Sequence, residues 1–377
     1  MSDWYRQLGV SAHKSYLQGV VHDTKAYFVP IGPDIAGDPD YRFALHADGV
    51  GTKGILAYLW WRESGDESVW THLAQDALVM NTDDLACAGF ADYFVFSTTL
   101  VRNPFLIPDS VVQRVIQGVY AFAQKLEEWG IVARVAGGET ADMPDVVRTI
   151  GLEAVAAARA PQAQLLPLRR PDRELVLVGL ASFGQTTYES TYNSGVGANG
   201  LTALRHLLLT GEYAQKYPET LDPHLPAPYQ GRWRLSDFVA GYPLGLLLTS
   251  PTRTYLPFLR TLYSQYRKAL YGVIHCTGGG QRKALQYFPQ TLIRKESFFP
   301  LPPLFACLEG LRPWSELFEV LNMGHRMELY LLPEAVEEVL ALAATYHLPA
   351  QVIGTARPHE GPTRIEASFA GETWTWP

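Results

Sequence analysis

Cysteine is scarce: the 377 residues hold three, at positions 87, 276 and 307, with no Cys-x-x-Cys pair among them. An odd number spaced in this way argues against a disulfide framework and against a thiolate zinc site, and fits a reducing compartment. Each is read as a small buried hydrophobe, since free cysteine is among the most buried residue types. No uninterrupted apolar segment approaches the roughly 20 residues that a bilayer span needs. The opening Met-Ser-Asp-Trp-Tyr-Arg-Gln has no basic region ahead of an apolar one, so a soluble, unsecreted, cytoplasmic protein without a membrane partner is expected. Lysine and arginine never gather into a run, and the formal charge of −7 is mild for the size, so nucleic acid is not an expected partner either.

What is present is an ordinary globular composition, 47% hydrophobic and 18% charged, which can bury a core and leaves little ground for intrinsic disorder. At roughly 150 residues per domain, the length suggests two domains, or three, with a cleft between them. Residues 42–47 read as strand, 69–88 as helix, 93–99 as strand, 109–129 as helix, and 131–136 and 147–158 as strands, the alternation of an α/β (α+β) fold. A polar, proline-bearing stretch, 159–172, interrupts the rhythm before the apolar run 174–180 restarts it, which places the domains at 1–165 and 166–377. In the second half, 198–209, 251–270 and 333–347 carry helical patterns, while 326–332 and 350–354 are strand-like. Val336, Val339, Leu340 and Ala343 form a core stripe, and residues 213–243, rich in Pro, Tyr and Gly, read as an insertion or long loop.

Four runs combine glycine turns with acids or a cation. The first, His46-Ala47-Asp48-Gly49-Val50-Gly51-Thr52-Lys53, follows a strand and precedes a helix. Its glycines let backbone approach a ligand, Lys53 offers a point charge for phosphate, and Asp48 offers an oxygen suited to Mg²⁺. A purely structural turn is the competing reading, and on spacing alone the more frequent one. The second run is Asn81-Thr82-Asp83-Asp84-Leu85, at the end of a helical pattern that also holds Asp76. Adjacent carboxylates repel unless a cation or solvent neutralises them, so either a metal site or a solvated helix end accounts for this run. The third, Ala136-Gly137-Gly138-Glu139-Thr140-Ala141-Asp142-Met143-Pro144, supplies a glycine pair and two more oxygen ligands, Glu139 and Asp142, with a bland turn as the alternative. The fourth, His275-Cys276-Thr277-Gly278-Gly279-Gly280, lies between strand-like 272–274 and helical 281–288, so three glycines feed a helix N-terminus that attracts anions. His275 would bind substrate or move protons, although a satisfied interior histidine is the commoner case.

In order and spacing, the strings at 48–53, 137–144 and 277–280 resemble the DGVGTK, GGETAEMP and TGGG motifs of the aminoimidazole ribonucleotide synthetases, also called phosphoribosylformylglycinamidine cyclo-ligases. Similarity also runs through Asp84 and Leu85, Ser250-Pro251-Thr252-Arg253 and Leu321-Asn322-Met323-Gly324, so the resemblance covers most of the chain. It implies a homodimer whose N-terminal domains jointly form a β-barrel, each followed by a C-terminal α/β domain, with ATP and substrate between the domains. The implied activity is that of an ATP-dependent, C–N bond-forming ligase of purine biosynthesis. Formylglycinamidine ribonucleotide would close to aminoimidazole ribonucleotide, with a phosphoryl ester on the formyl oxygen displaced by the neighbouring nitrogen. By resemblance, Asp48 and Asp84 would hold Mg²⁺, with Glu139 as a further ligand; Lys53 would neutralise phosphate charge, and His275 would contact substrate or transfer a proton. ATP would meet Gly49, Gly51, Thr52, Gly137, Gly138, Glu139, Thr140, Asn199, Thr277, Gly278, Gly279 and Gly280.

Several positions depart from the family pattern. Residues 28–34, Phe-Val-Pro-Ile-Gly-Pro-Asp, stand where many members have a glycine-rich run, and Gln18 stands at the family's lysine, with Lys14 and Lys25 nearby. The loop 184–197 is longer than usual and has no histidine, a role that would pass to His275 or Tyr192, and Asp83 replaces the usual asparagine. Selenophosphate synthetase and thiamine monophosphate kinase also resemble the pattern. The former needs a reactive cysteine or selenocysteine near its N-terminus, whereas none precedes Cys87, and the GGETA-x-MP string fits neither. A nucleotide-binding scaffold without turnover is the remaining alternative.

Overall fold

The computed structural model describes residues 3–10 and 26–377. Gln18, Lys14 and Lys25 lie outside the described residues. Two β-sheets divide the chain, the first ending at Pro161 and the second beginning at Leu175.

The first sheet has the order β1 (Gly32–Pro33), β2 (Tyr41–Gly49), β5 (Ile150–Pro161), β3 (Tyr93–Arg102), β4 (Val132–Asp142). Its pairs are antiparallel except β3 with β4, which are parallel and joined by the helix α4 (Asp109–Glu128). Alternation along β5 buries Ile150, Leu152, Ala154, Ala156, Ala158 and Ala160 on one face. Four successive inward positions are alanine, and so small a surface lets the helix α3 (Ser68–Cys87) lie close against β5 and β2. Val111, Val115, Val119, Phe122 and Leu126 give α4 its apolar stripe. Leu45, Tyr93 and Val132 stand exposed on the sheet's other face.

The second sheet runs Leu270–His275, His325–Leu331, β6 (Leu175–Ala181), Ala350–Pro358, Thr291–Lys295, Arg364–Phe369, Glu372–Trp376. Helix α3 also packs against its first strand, Leu270–His275, and so stands between the two sheets. No helix among the described residues is long and apolar enough to cross a membrane.

Three elements differ from expectation. The strand expected to end at residue 136 continues to Asp142, because its glycine pair absorbs a bulge opposite Phe96 and Thr98. Gly138 lies so near β3 that a Cβ there would fall 2.3 Å from the Thr98 carbonyl oxygen. In place of the expected α-helix at 281–288, the chain forms the 3₁₀ segment Gly280–Gln286. The expected helix at 251–270 begins only at Leu256, since the preceding residues are drawn along α3.

That attachment is polar and buried. Lys53 opens α2 (Lys53–Ser64), and its Nζ donates to Asp76 Oδ1 (2.7 Å) and to the carbonyls of Gly197 (2.9 Å) and Ser250 (2.6 Å). Asp76 Oδ1 also accepts from the Thr252 backbone N–H at 2.7 Å and from its hydroxyl at 2.5 Å. Lys53 is therefore a buried tie between the two halves of the chain, and its three acceptors leave it no proton for phosphate, contrary to expectation. Lys53→Met would strand the buried Asp76 carboxylate. The expected cost is about 3–5 kcal/mol of unfolding free energy by urea titration, and a loss below about 1 kcal/mol would contradict the tie.

Candidate active site

Asp48 lies near the end of β2, on the face packed against α3, and strand alternation puts His46 on that same face. Asn81 of α3 receives both. Its Nδ2 donates to the carbonyls of Asp48 (3.1 Å), Ala77 (2.9 Å) and Ala154 (3.2 Å), so its Oδ1 is left to accept from His46 Nδ1 at 3.0 Å. The other ring nitrogen of His46, Nε2, faces Asp84 Oδ2 at 3.4 Å. Asp84 Oδ1 in turn meets His275 Nδ1 at 2.5 Å.

Arg326 fixes how His275 is used. Its Nε donates to His275 Nε2 at 2.9 Å, and a guanidinium has no acceptor, so the ring is neutral with its one proton on Nδ1, donated to Asp84. Nη2 of Arg326 reaches Asp83 Oδ2 at 3.4 Å, closing a chain Asp84–His275–Arg326–Asp83 back onto α3. Asp83 is further held by Thr254 Oγ1 (2.8 Å) and the Tyr255 N–H (3.2 Å). His275 is fully buried with both nitrogens engaged, so it is a positioning group for Asp84 and cannot relay protons to a ligand. The half-buried His46, which opens the first glycine run and carries no role in the sequence reading, is the histidine that faces the pocket.

Burial alone would raise Asp84, but the hydrogen bonds from His275 and His46 outweigh it and hold this carboxyl well below the usual range. Burial would lower His46, yet the neighbouring Asp84 carboxylate more than offsets it and raises the ring. Asp48 is pushed up, first by burial and then by the Asp84 charge, although its Oδ1 accepts the Gly49 N–H at 2.7 Å. Glu153 of β5 is also raised, by burial and by Asp48, and lies over Gly49, where a Cβ would fall 2.0 Å from its Oε2. Paired with Gly49, Glu153 stands on the sheet's exposed outer face, opposite the face that carries His46 and Asp48.

The glycine turn joins this cluster to the second half of the chain. Thr52 Oγ1 meets Thr202 Oγ1 at 2.9 Å, in the first turn of α5 (Leu201–Leu208), just after Asn199 and Gly200. Asn199, Gly200, Gly278 and Gly279 line one cavity of about 180 Å³ with Tyr5, Val10, Glu319 and Val320. Among the described residues, no hydrogen-bond partner meets Asn199 Oδ1, which is buried there. Gly278 follows His275 by three residues, and Thr277 between them is buried. Asp48, Gly49, Gly51, Thr52, Asp84, Asn199 and the loop 277–280 are thus gathered along one contiguous path.

The 137–140 string is not part of it. Gly49 pairs with Glu153, Glu153 with Thr99, and Thr99 with Glu139. Three strand spacings, about 14 Å, therefore separate Glu139 from the end of β2. Gly137, Gly138, Glu139 and Thr140 are exposed on the edge strand, so within one chain Glu139 cannot share a cation with Asp48. Asp142 is paired to Arg102 at 2.6 Å. Tyr192 stacks on Tyr242 at 5.1 Å, and residues 28–34 are pinned by Asp34 to Arg159 at 2.8 Å.

Among the described residues, the group of three His, Cys, Asp or Glu side chains whose ligand-type atoms all lie within 4.8 Å of one another is Cys276, His325 and Glu328. Lys295 Nζ already sits on the Glu328 carboxylate there, so the charge that would draw a cation is neutralised.

Residues 23–158 match the family model of the AIR synthase related protein, N-terminal domain. Over most of its length the chain is similar to curated phosphoribosylformylglycinamidine cyclo-ligases: that of Thermococcus gammatolerans is 28% identical over 313 residues, covering 82% of this chain and 77% of the relative. The fold is shared with a solved structure from Thermus thermophilus, at TM-score 0.54 and 16% identity over 93% of this chain and 94% of that one. It is also shared with a Thermotoga maritima PurL complexed with ADP, at TM-score 0.53 and 13% identity over 97% of this chain and 48% of PurL.

A carboxylate depressed in the folded state stabilises the fold above its unfolded value, near 4, and that contribution is lost as pH falls toward the lower folded value. Asp84→Asn should therefore flatten the loss of stability below about pH 4 in urea titrations at fixed pH. An acid limb parallel to that of the unaltered chain would contradict the assignment.

Proposed function

We propose that this chain carries out ATP-dependent ring closure of formylglycinamidine ribonucleotide to aminoimidazole ribonucleotide, the cyclo-ligase activity its relatives' name describes. The observation that carries the reading is the joining of the Asp48–Asp84 pocket, through Thr52 and through His275, to the cavity walled by Asn199 and the 278–279 loop. PurL, which shares the fold, was solved with ADP, and that supports a nucleotide as the occupant.

In this reading the nucleotide phosphates lie against the backbone of Gly278 and Gly279, with the Asn199 carboxamide oxygen free to accept from the ligand. Asp48 and Asp84 hold Mg²⁺. Asp48 is raised by burial and by the neighbouring Asp84 charge, the condition a divalent cation relieves. The bound cation would supply neutralisation of phosphate charge. His46, raised by Asp84 against the effect of burial, is placed to hand a proton to, or take one from, a substrate atom entering beside Asp48. Orientation and charge neutralisation are what phosphoryl transfer to the formyl oxygen needs, and the attack of the neighbouring nitrogen then expels phosphate.

Residues 1–165 form the domain of acids and 166–377 the domain of the glycine loop. The exposed outer face of the first sheet, with Leu45, Tyr93 and Val132, closes against a second copy as a homodimer, and the 137–140 string then lies at the seam, where it contacts substrate rather than metal. The enzyme is cytoplasmic.

ADP release by the full chain should depend on added formylglycinamidine ribonucleotide, and tight ATP binding without release would instead identify a scaffold. Asp48→Asn should lower that release by about 100-fold or more with an unchanged circular dichroism spectrum; near-normal release would remove Asp48 from the mechanism. Leu45→Lys on the outer face should shift sedimentation from dimer to monomer, and an unchanged coefficient would move the interface elsewhere.

A further inference from the structure

We propose that the cavity beneath Trp4 is a second ligand site, separate from the acidic pocket, that takes a small anion such as a carboxylate or a phosphate monoester. The cavity, about 60 Å³, lies between α1 (Asp3–Gln7) and the end of α5, and its polar lining is Trp4, Gln7, His206, Gln230 and Arg312. Trp4 is 7% exposed and His206 3% exposed, and among the described residues neither Trp4 Nε1 nor His206 Nε2 has a hydrogen-bond partner.

Both groups are donors. An indole nitrogen only donates, and the Tyr229 backbone N–H donates to His206 Nδ1 at 3.1 Å, which leaves the ring's proton on Nε2. Burial and the adjacent Arg205 push the His206 ring down to about 3, so it is neutral at physiological pH. Arg312 stacks over the Trp4 ring at 5.0 Å, and no carboxylate among the described residues reaches its guanidinium. Arg205, 5% exposed, donates to the Thr220 carbonyl (3.1 Å) and the Tyr229 hydroxyl (3.3 Å), its Nε has no partner, and no described acid neutralises it.

The partly exposed Arg312 and two buried donors, unmatched by counter-charge or acceptor among the described residues, therefore line a cavity whose lining contains no acid, and the buried Arg205 stands next to His206 in the chain. Burying such groups uncompensated is unfavourable. Water would satisfy a donor or two but leave the positive charge unbalanced, whereas an anion supplies acceptors and charge together. The same two helices reach the glycine cavity, α1 through Tyr5 and α5 through Gly200 before its first residue, so an occupant under Trp4 bears on the loop that faces it.

Calorimetric titration of the full chain with inorganic phosphate, and separately with acetate, at constant ionic strength in chloride, tests the proposal in three proteins: unaltered, Arg312→Gln and Trp4→Phe. Trp4→Phe keeps the packing and removes the N–H. Saturable binding of either probe is expected, weakened about ten-fold or more by Arg312→Gln and several-fold by Trp4→Phe, with the ligand-free melting temperatures of both variants close to the parent's. Binding of acetate alone assigns a carboxylate, and of phosphate alone a phosphate ester. Phosphate held only at the glycine loop would be indifferent to Arg312, so equal affinity in parent and Arg312→Gln overturns the proposal, as does the absence of saturable binding of either probe.

Discussion

The structure depends on carboxylates that one helix carries into the interior. Asp76, Asp83 and Asp84 of α3 are all buried, and each is satisfied by a different part of the chain: Lys53 and Thr252, then Arg326, Thr254 and Tyr255, then His275 and His46. Asp76 and Asp83 lie two turns apart on one side, so the segment 250–255 is clipped at both ends along the helix. Desolvating three acids would be prohibitive without these partners, and their partners come from both sheets. Packing the two domains and building the site are therefore one event, since the groups that neutralise α3 also orient Asp84.

Much of the frame is legible in the residues. The alternation of β5 and the stripe of α4 give elements within a few residues of those observed, because burial on one face imposes a period that the side chains record. The strand Arg364–Phe369 also alternates, with Ile365 and Ala367 buried, but it is too short to stand out from its surroundings; Thr291–Lys295 has too few residues to show a period at all. The path from Asp48 through Asp84 to the 277–280 loop can be anticipated from glycine turns and acids following strands, since such turns stand at strand ends where ligands gather.

What the residues do not display is burial and strand order. Lys53 in a glycine turn reads as a phosphate ligand, and only the fold reveals three acceptors closing around its ammonium group. His275 is the satisfied interior histidine that is the commoner reading of its run, and the proton-transferring role implied by the resemblance is closed off because Arg326, 51 positions away, occupies the nitrogen it would need. Glu139 shares a motif's chemistry with Asp48, but its distance from Asp48 is set by two intervening strands, and pairing order is a long-range property. Conversely, His46 is recoverable by a local rule: two positions before Asp48 in a strand means the same face.

These corrections bear on how the site works. If Lys53 and Asp83 hold the domains together, the acids and the glycine loop keep their separation whether or not a ligand is present, because opening the cleft along α3 would expose Asp76 and Asp83 and break every bond they make. The site is then preorganised, and its groups need little rearrangement as charge develops. Adjustment falls to the elements outside that clip, which are the turn 49–52, the loop 277–280 and the N-terminal helix whose Tyr5 borders the glycine cavity. Charge neutralisation is thus assigned to rigid parts and ligand admission to peripheral ones, a division that follows from which carboxylates α3 buries and which it leaves at the pocket's edge.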